Sequence, residues 1–283
     1  MAKTLLGIIG SPRKHGNSEL LVKELYRGLT GDWELKLVRL PELDIRPCHA
    51  CYQCLFGDMK CPQDDDFSLI LETLASADAY CVATPTYLLS ANASLKRFLD
   101  RGLSFYAHVD RLWGKPAVGA AIAGIEGMEG YTKLSVDSFI KLTMGDLRGS
   151  EVIYGALPGE IFLSSGGKDA AARLAEALIH GKGNSEPCTP TCPVCGGDTF
   201  RFLSDGQARC MLCSSSGTYQ WDANQLRFHT TPGEHAFFQT YENARKHAEW
   251  LRGMKEKFLA RRKKLKAVTQ GYTETGSWVS RGQ

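Results

Sequence analysis

Ten cysteines in a chain of 283 residues fall mostly into two groups, and the spacing of each group suggests a different chemistry. Cys48, Cys51, Cys54 and Cys61 read C-x2-C-x2-C-x6-C and are followed by Pro62. Two consecutive two-residue gaps bring three thiolates to one small object with a fourth nearby, a spacing like that of [4Fe–4S] ligation except that its last gap, six residues, is longer than usual. Zinc more often takes two separated pairs, so it is the alternative here. Cys192, Cys195, Cys210 and Cys213 are such pairs, spaced C-x2-C-x14-C-x2-C. Each pair forms a knuckle, and the intervening residues suffice for a hairpin that folds one knuckle onto the other around a tetrahedral ion. The pattern predicts a closed zinc ribbon with a structural role. A single iron ion is the alternative, because Cys192-Pro193-Val194-Cys195-Gly196 suits it; the second knuckle lacks the matching Pro and Gly, which favours zinc. A unit of roughly 40 residues has too little core to fold without its metal. Cys81 reads as a core residue, and Cys188 has no assigned role.

Three polar segments could hold a small ligand. Residues 11–18 lead from an apolar run into a helix start, where free backbone N–H groups and the helix dipole favour a phosphate. Ser11, Arg13, Asn17 and Ser18 could add hydrogen bonds. Neither the Walker pattern nor the dinucleotide glycine pattern is present, so a phosphate monoester is the better match. In Thr84-Pro85-Thr86-Tyr87-Leu88-Leu89-Ser90 the hydroxyls, amides and aromatic ring suit a planar heterocycle, with Pro85, Thr86, Tyr87 and Ser90 as candidate contacts. Gly124-Ile125-Glu126-Gly127-Met128-Glu129-Gly130 lets backbone approach a ligand closely, at Gly124 and Gly127 above all. The plainer alternatives are an ordinary polar turn at 11–18 and a Tyr87 packed under its loop.

The elements that must position these groups alternate. Strands are predicted at 4–10, through Leu35, Leu37 and Leu40, at 79–83, 116–123 and 151–157. Helices are predicted after Ser18 as N-cap, after Asp64–Asp66, and at 91–101, 131–143 and 167–179. Five strands interleaved with five helices predict an α/β fold, a doubly wound parallel sheet covered on both faces. Ligands in such sheets bind beyond the carboxyl ends of the strands, where the three polar segments fall. Domain 1–181 therefore carries the cysteine loop 46–63, a linker runs to 187, the ribbon spans 188–231, a basic helix 232–266, and 267–283 reads as a flexible tail.

Apolar residues at 43% and charged residues at 23% exclude global disorder. The net charge of +3 does not by itself indicate a nucleic-acid binder. Residues 245–266 nevertheless hold ten Lys/Arg against Glu249 and Glu256, a local +8 that leaves the remainder at −5. Trp250, Leu251, Met254, Phe258 and Leu265 recur there at helical spacing. The reading favoured is a packed helix with a solvated face; an acidic electron carrier, nucleic acid or a membrane surface are the others. Paired cysteines, no signal-peptide pattern in Met1–Gly10 and no membrane-length apolar run point to a cytoplasmic protein with reduced thiols.

Gly10-Ser11-Pro12-Arg13-Lys14-x-Gly16-Asn17-Ser18 resembles the phosphate loop of the flavodoxin-fold NAD(P)H-dependent FMN reductases. Ala83-Thr84-Pro85-Thr86-Tyr87 with Ser94-Leu95-Lys96-x-x-Leu99-Asp100-Arg101 resembles their second flavin loop and its helix, and the cysteine loop between them is similar to that of the iron–sulfur flavoprotein branch. The resemblance runs from residue 4 to about 180. It implies a flavodoxin-like sheet, with FMN phosphate on 11–18 and the flavin edge against 84–90 and 124–130. It also implies a homo-oligomer in which flavin and cluster meet across a subunit interface, and electrons passing between cluster and FMN. Ferredoxin or NAD(P)H would be the redox partner, and no side chain is an obligatory acid or nucleophile. Lys96 and Arg101 are expected to be exposed helix residues. A cluster-free FMN or quinone reductase is the alternative enzyme, and a zinc-ribbon binding module on a flavodoxin-like scaffold the alternative of another class.

Overall fold

The computed structural model describes residues 2–181, 190–222, 225–277 and 279; Cys188 and most of the expected linker lie outside the described residues. In chain order the elements of the first domain are β1 (Lys3–Ile9), α1 (Asn17–Arg27), β2 (Trp33–Arg39), α2 (Phe67–Ser76), β3 (Ala79–Tyr87), β4 (Ser90–Ala91), α3 (Ala93–Leu99), α4 (Leu103–Ala107), α5 (Val109–Leu112), β5 (Pro116–Ala123), α6 (Thr132–Leu142), β6 (Asp146–Tyr154) and α7 (Gly166–His180). Beyond it lie β7 (Phe200–Phe202), β8 (Gln207–Cys210), β9 (Ser216–Asp222), β10 (Gln225–Thr231) and α8 (Tyr241–Gln270).

The main sheet has the order β2-β1-β3-β5-β6. Neighbours along it are parallel. This is the flavodoxin-like doubly wound order, in which the sequence of strands reverses between β1 and β3. Alternation along β1 sends Leu5 and Ile9 into the core shared with α1 and α7, and Leu6 and Ile8 into the one shared with α2, α3 and α6. Leu21, Leu25, Leu174 and Leu178 line the first core, and Phe67, Phe98, Phe105 and Phe139 fill the second. Gly7 is required where α1 crosses β1: a Cβ there would stand 2.5 Å from Val22 Cγ1. Close seating of that helix fixes where its N-terminus meets the end of β1. Cys81 is fully buried on β3, and burial pushes its thiol up to about 12, as befits a core residue.

Several boundaries differ from those expected. Gly16, not Ser18, is the N-cap of α1, and Ser18 is buried in its first turn. β3 does not stop at Thr84-Pro85 but continues to Tyr87 and turns back through β4. Pro85 is tolerated there near the strand's C-terminal end, opposite Ile122. Helix 91–101 is shorter, and α4 and α5 follow it where no apolar period is legible. β6 begins at Asp146 rather than 151, because its polar first half lies at the sheet's open edge.

The second sheet is antiparallel, ordered β10-β9-β8-β7. Lys133 on α6 ties it to the first domain through Asp198 at 2.8 Å while also meeting Asp137 at 3.0 Å. Helix α8 starts later and ends later than expected. Its Ala244, Ala248 and Leu251 are buried, and Tyr241 and Arg245 bind Asp110 on α5. From Lys255 onward it is exposed on every side, so Phe258 and Leu265 do not pack as the stripe suggested. Residues 267–270, expected as tail, continue the helix.

Candidate functional site

The ends of β1, β3, β5 and β6 converge on one cavity of about 210 Å³. Ser11, Arg13, Asn17, Ser18, Pro85, Thr86, Tyr87 and Gly124 all line it. Ser90 and Gly127, also expected there, do not. Gly155, Ala156 and Pro158, from a loop the sequence did not single out, complete the wall. The first turn of α1 opens into this space, and the N–H groups of a first turn have no partner within their helix.

Asn17 has a job that its spacing did not show. Its Nδ2 donates to the Gly155 carbonyl at 2.9 Å and its Oδ1 accepts from the Gly159 amide at 2.8 Å. The side chain thus fastens the loop after β1 to the loop after β6. Arg13 Nη1 donates to the Ala156 carbonyl at 3.3 Å across the same gap. Beneath the loop, Arg39 donates from Nη1 to the carbonyls of Ser11 and Arg13 at 3.0 and 2.8 Å, and from Nη2 to Glu19 at 2.5 Å. Burial alone would raise the Glu19 carboxyl, but hydrogen bonds from Lys23, Arg39 and the His15 amide outweigh it and hold the group down to about 2. Sequence spacing gave no sign of Arg39, which lies at the end of a strand far from the motif.

On the other wall, the Thr86 hydroxyl is buried with no hydrogen-bond partner. Such a group costs free energy unless a ligand or water meets it. Leu89 carries φ +65° and accepts the Tyr131 amide at 2.8 Å, and a Cβ on Gly130 would stand 2.1 Å from the Leu89 carbonyl oxygen. The second and third loops are therefore held against each other. In the loops that supply its walls, Leu88 is 98% exposed, and Met128, Tyr131 and Leu157 are exposed too. The helix N-terminus, orphan hydroxyl and apolar rim fit a phosphate-bearing planar cofactor.

The cysteine loop runs between β2 and α2. Cys54 is buried, Cys61 half-buried, and Cys48 and Cys51 exposed. Three of its non-glycine residues, Ala50, Tyr52 and Met59, hold left-handed φ values of 51°, 62° and 56°. Such backbone persists where its surroundings or its role demand it. Cys51 and Cys61 lie on the wall of a cavity of about 960 Å³ closed opposite by Met254, Phe258 and Leu259 of α8. Arg101 is not the exposed residue expected. Only 2% accessible, it donates to Cys61 Sγ at 3.0 Å and to Asp65 at 2.6 Å. Lys96 is exposed as expected, paired with Asp100. An all-thiol donor set with a buried donor aimed at one sulfur and open volume beside it fits a cluster, in which each sulfur binds a different iron.

The ribbon cysteines form the one group of three or more ligand side chains, among the described residues, close enough to share one ion. Their sulfurs all lie within 4.8 Å of one another. The Cys192–Cys213 and Cys195–Cys210 separations are 3.7 and 3.6 Å. A tetrahedral site with Zn–S of about 2.3 Å needs sulfurs roughly 3.8 Å apart. Thr230 and Ser215 hydroxyls and the Gly197 amide surround the sulfurs at 3.3, 3.1 and 3.4 Å. Crowding pulls Cys192 down through hydrogen bonds with Cys195, Cys210 and Cys213 and pushes Cys195 up through its own thiol neighbours. The donor set fits one thiophilic ion.

Residues 4–156 match the family model of NADPH-dependent FMN reductases, and the chain belongs to that family. It is thus a flavin-dependent oxidoreductase by descent and fold. It is 30% identical over 161 residues to an iron–sulfur flavoprotein of Archaeoglobus fulgidus, covering 55% of this chain and 70% of that protein. A similar protein of Methanocaldococcus jannaschii, also called an iron–sulfur flavoprotein, is 33% identical over 125 residues, covering 42% of this chain and 64% of its own. A solved flavone reductase superposes with a TM-score of 0.71 over 99% of this chain and 100% of its own at 18% identity, a likeness of fold that takes in the ribbon and α8.

Proposed function

We propose that this chain is an iron–sulfur flavoprotein that passes electrons between a [4Fe–4S] cluster, held by Cys48, Cys51, Cys54 and Cys61, and FMN bound at the strand ends. The observation that carries the reading is the four-cysteine loop itself, set in strained backbone against a cavity, on a chain whose relatives bear that name. Bound together, the two groups would couple one-electron carriers to two-electron chemistry, the flavin taking electrons in pairs and releasing them singly.

The chain's own residues bind and position. First-turn amides of α1, with Ser11 and Ser18, take the phosphate. Thr86 offers its free hydroxyl, and Asn17 and Arg39 hold the loop in shape. The apolar rim at Leu88, Met128 and Tyr131 supports a second subunit covering the flavin, hence a homo-oligomer. Cys192, Cys195, Cys210 and Cys213 hold zinc in a structural role. NAD(P)H or a one-electron carrier such as ferredoxin is the redox partner, and the cytoplasm is the compartment. No helix among the described residues is long and apolar enough to cross a membrane.

Exposure of Cys48 and Cys51 favours one second reading, a cluster-free FMN or quinone reductase. Flavin, iron, acid-labile sulfide and zinc, measured on protein purified and reconstituted without oxygen, separate the two. The proposal expects flavin with about four irons, about four sulfides and one zinc per chain. Flavin and zinc without iron or sulfide leave the cluster-free reductase.

A further inference from the structure

We infer that Arg101 and Ser104 are positioning residues for the cluster, donors that set the electron density on Cys61 and Cys54 and so raise the cluster's reduction potential. The inference rests on the cluster reading above. Arg101 stands in the turn between α3 and α4, and Ser104 follows one helical turn later, its amide bonded to the Arg101 carbonyl at 3.1 Å. Both are 2% exposed. From this one stretch the guanidinium reaches Cys61 Sγ at 3.0 Å, and α4 packs buried Ser104 against the Gln53–Leu55 turn that carries Cys54, whose thiol the Ser104 hydroxyl holds down against the effect of burial. Two of the four cysteines thus face a buried donor from the same short stretch.

Arg101 also holds the loop at both ends. Its Nη1 donates to the Arg46 carbonyl at 2.9 Å, just before Cys48, while Nη2 holds Cys61. Asp65 accepts from the guanidinium at 2.6 Å and from the Arg46 amide at 2.9 Å, and the Phe67 ring lies 4.5 Å from the guanidinium carbon. A buried ion pair is a poor stabilising device, since apolar residues of similar volume often do as well or better. Its presence is better explained by what the cation points at. Arginine stays charged even when buried, and its fork serves several acceptors at once. Hydrogen bonds and positive charge at ligand sulfurs favour the more negative, reduced cluster.

The test uses full-length protein reconstituted without oxygen, comparing wild type with Arg101→Gln, Arg101→Lys and Ser104→Ala. Iron and sulfide content are measured alongside the cluster midpoint by EPR-monitored titration. The inference expects wild-type cluster content in Ser104→Ala with a midpoint moved negative, and a larger negative move in Arg101→Gln. Arg101→Lys, which keeps the charge but not the fork, should fall between. Midpoints unchanged in the variants that retain the cluster overturn the inference and leave the cluster reading standing. Wild-type protein that takes up no iron or sulfide overturns the reading itself, and this inference with it. Should Arg101→Gln fail to fold, Ser104→Ala and Arg101→Lys decide by the same criterion.

Discussion

Arg39 Nη2 lies 2.5 Å from Glu19 Oε2, while the same guanidinium holds the carbonyls of Ser11 and Arg13. One side chain at the end of β2 therefore fixes both the loop after β1 and the first turn of α1. If that loop carries the FMN phosphate, removing the guanidinium frees the loop and each binding event must order it again. Arg39→Met should weaken FMN binding about tenfold, equivalent to about 1.4 kcal/mol. Titration of apoprotein against flavin fluorescence measures it, and an unchanged dissociation constant rejects the bracing role.

Glu19 makes a prediction about acid. Its folded carboxyl sits at about 2, against an ordinary value of 4.5. A depressed carboxylate contributes stability that is complete above its unfolded pKa and is lost as pH falls through the folded one. Glu19→Gln should therefore cost roughly 2 kcal/mol at neutral pH, as expected for a hydrogen-bonded buried charge. The gap from wild type should close between about pH 4.5 and 2. Urea unfolding at stepped pH reads the difference; a gap that is constant down to pH 3 would show that the carboxylate's charge is not the source.

Much of this arrangement was legible in the sequence because it is local. Apolar runs marked the five parallel strands, the glycine- and hydroxyl-rich segments marked the strand-end loops, and cysteine spacing marked the second group as the one whose sulfurs gather within reach of a single ion. What escaped was long-range. Arg39 and Arg101 read as ordinary charged residues, since nothing in their neighbours shows that a loop far away in sequence will close over them. Asn17 stood out in the sequence but its bracing task did not, because its partners Gly155 and Gly159 come from the far end of the domain. The polar start of β6 and the short helices α4 and α5 escaped because edge position and tertiary packing, not periodicity, form them.

The ribbon should depend on its ion while the sheet does not. Four thiols within 4.8 Å repel one another once ionised, and the unit's apolar core is little more than Ala208, Leu212 and Phe228. Structural zinc contributes about 10–16 kcal/mol of apparent binding energy in small zinc-finger peptides, ample to decide folding here. Cys192→Ser, or stripping by a strong chelator, should release one metal ion, zinc on the reading proposed above, and abolish amide-exchange protection across β7–β10. Protection in β1, β3 and β5 should persist. Ribbon protection that survives metal loss would assign the ribbon's stability to its packing instead.

Helix α8 should loosen in mild acid. His247 Nδ1 lies 2.9 Å from His235 Nε2, and the rings of Tyr106 and Trp250 pack against His247 at 4.7 and 5.4 Å. Burial first, and then repulsion from His235, hold His247 down to about 4 from an ordinary 6.5. The unfolded chain takes up this proton near 6.5 and the folded chain resists it, so protonation favours unfolding. Stability contributed by the neutral ring is complete above pH 6.5 and drains away as pH falls toward 4. His247→Phe keeps an aromatic ring in the packing and removes the titration. Between pH 6.5 and 5, above the range where most carboxylates titrate, wild-type Tm should fall more steeply than that of the variant. Parallel Tm curves over that interval would place the acid sensitivity of α8 elsewhere than at this pair of imidazoles.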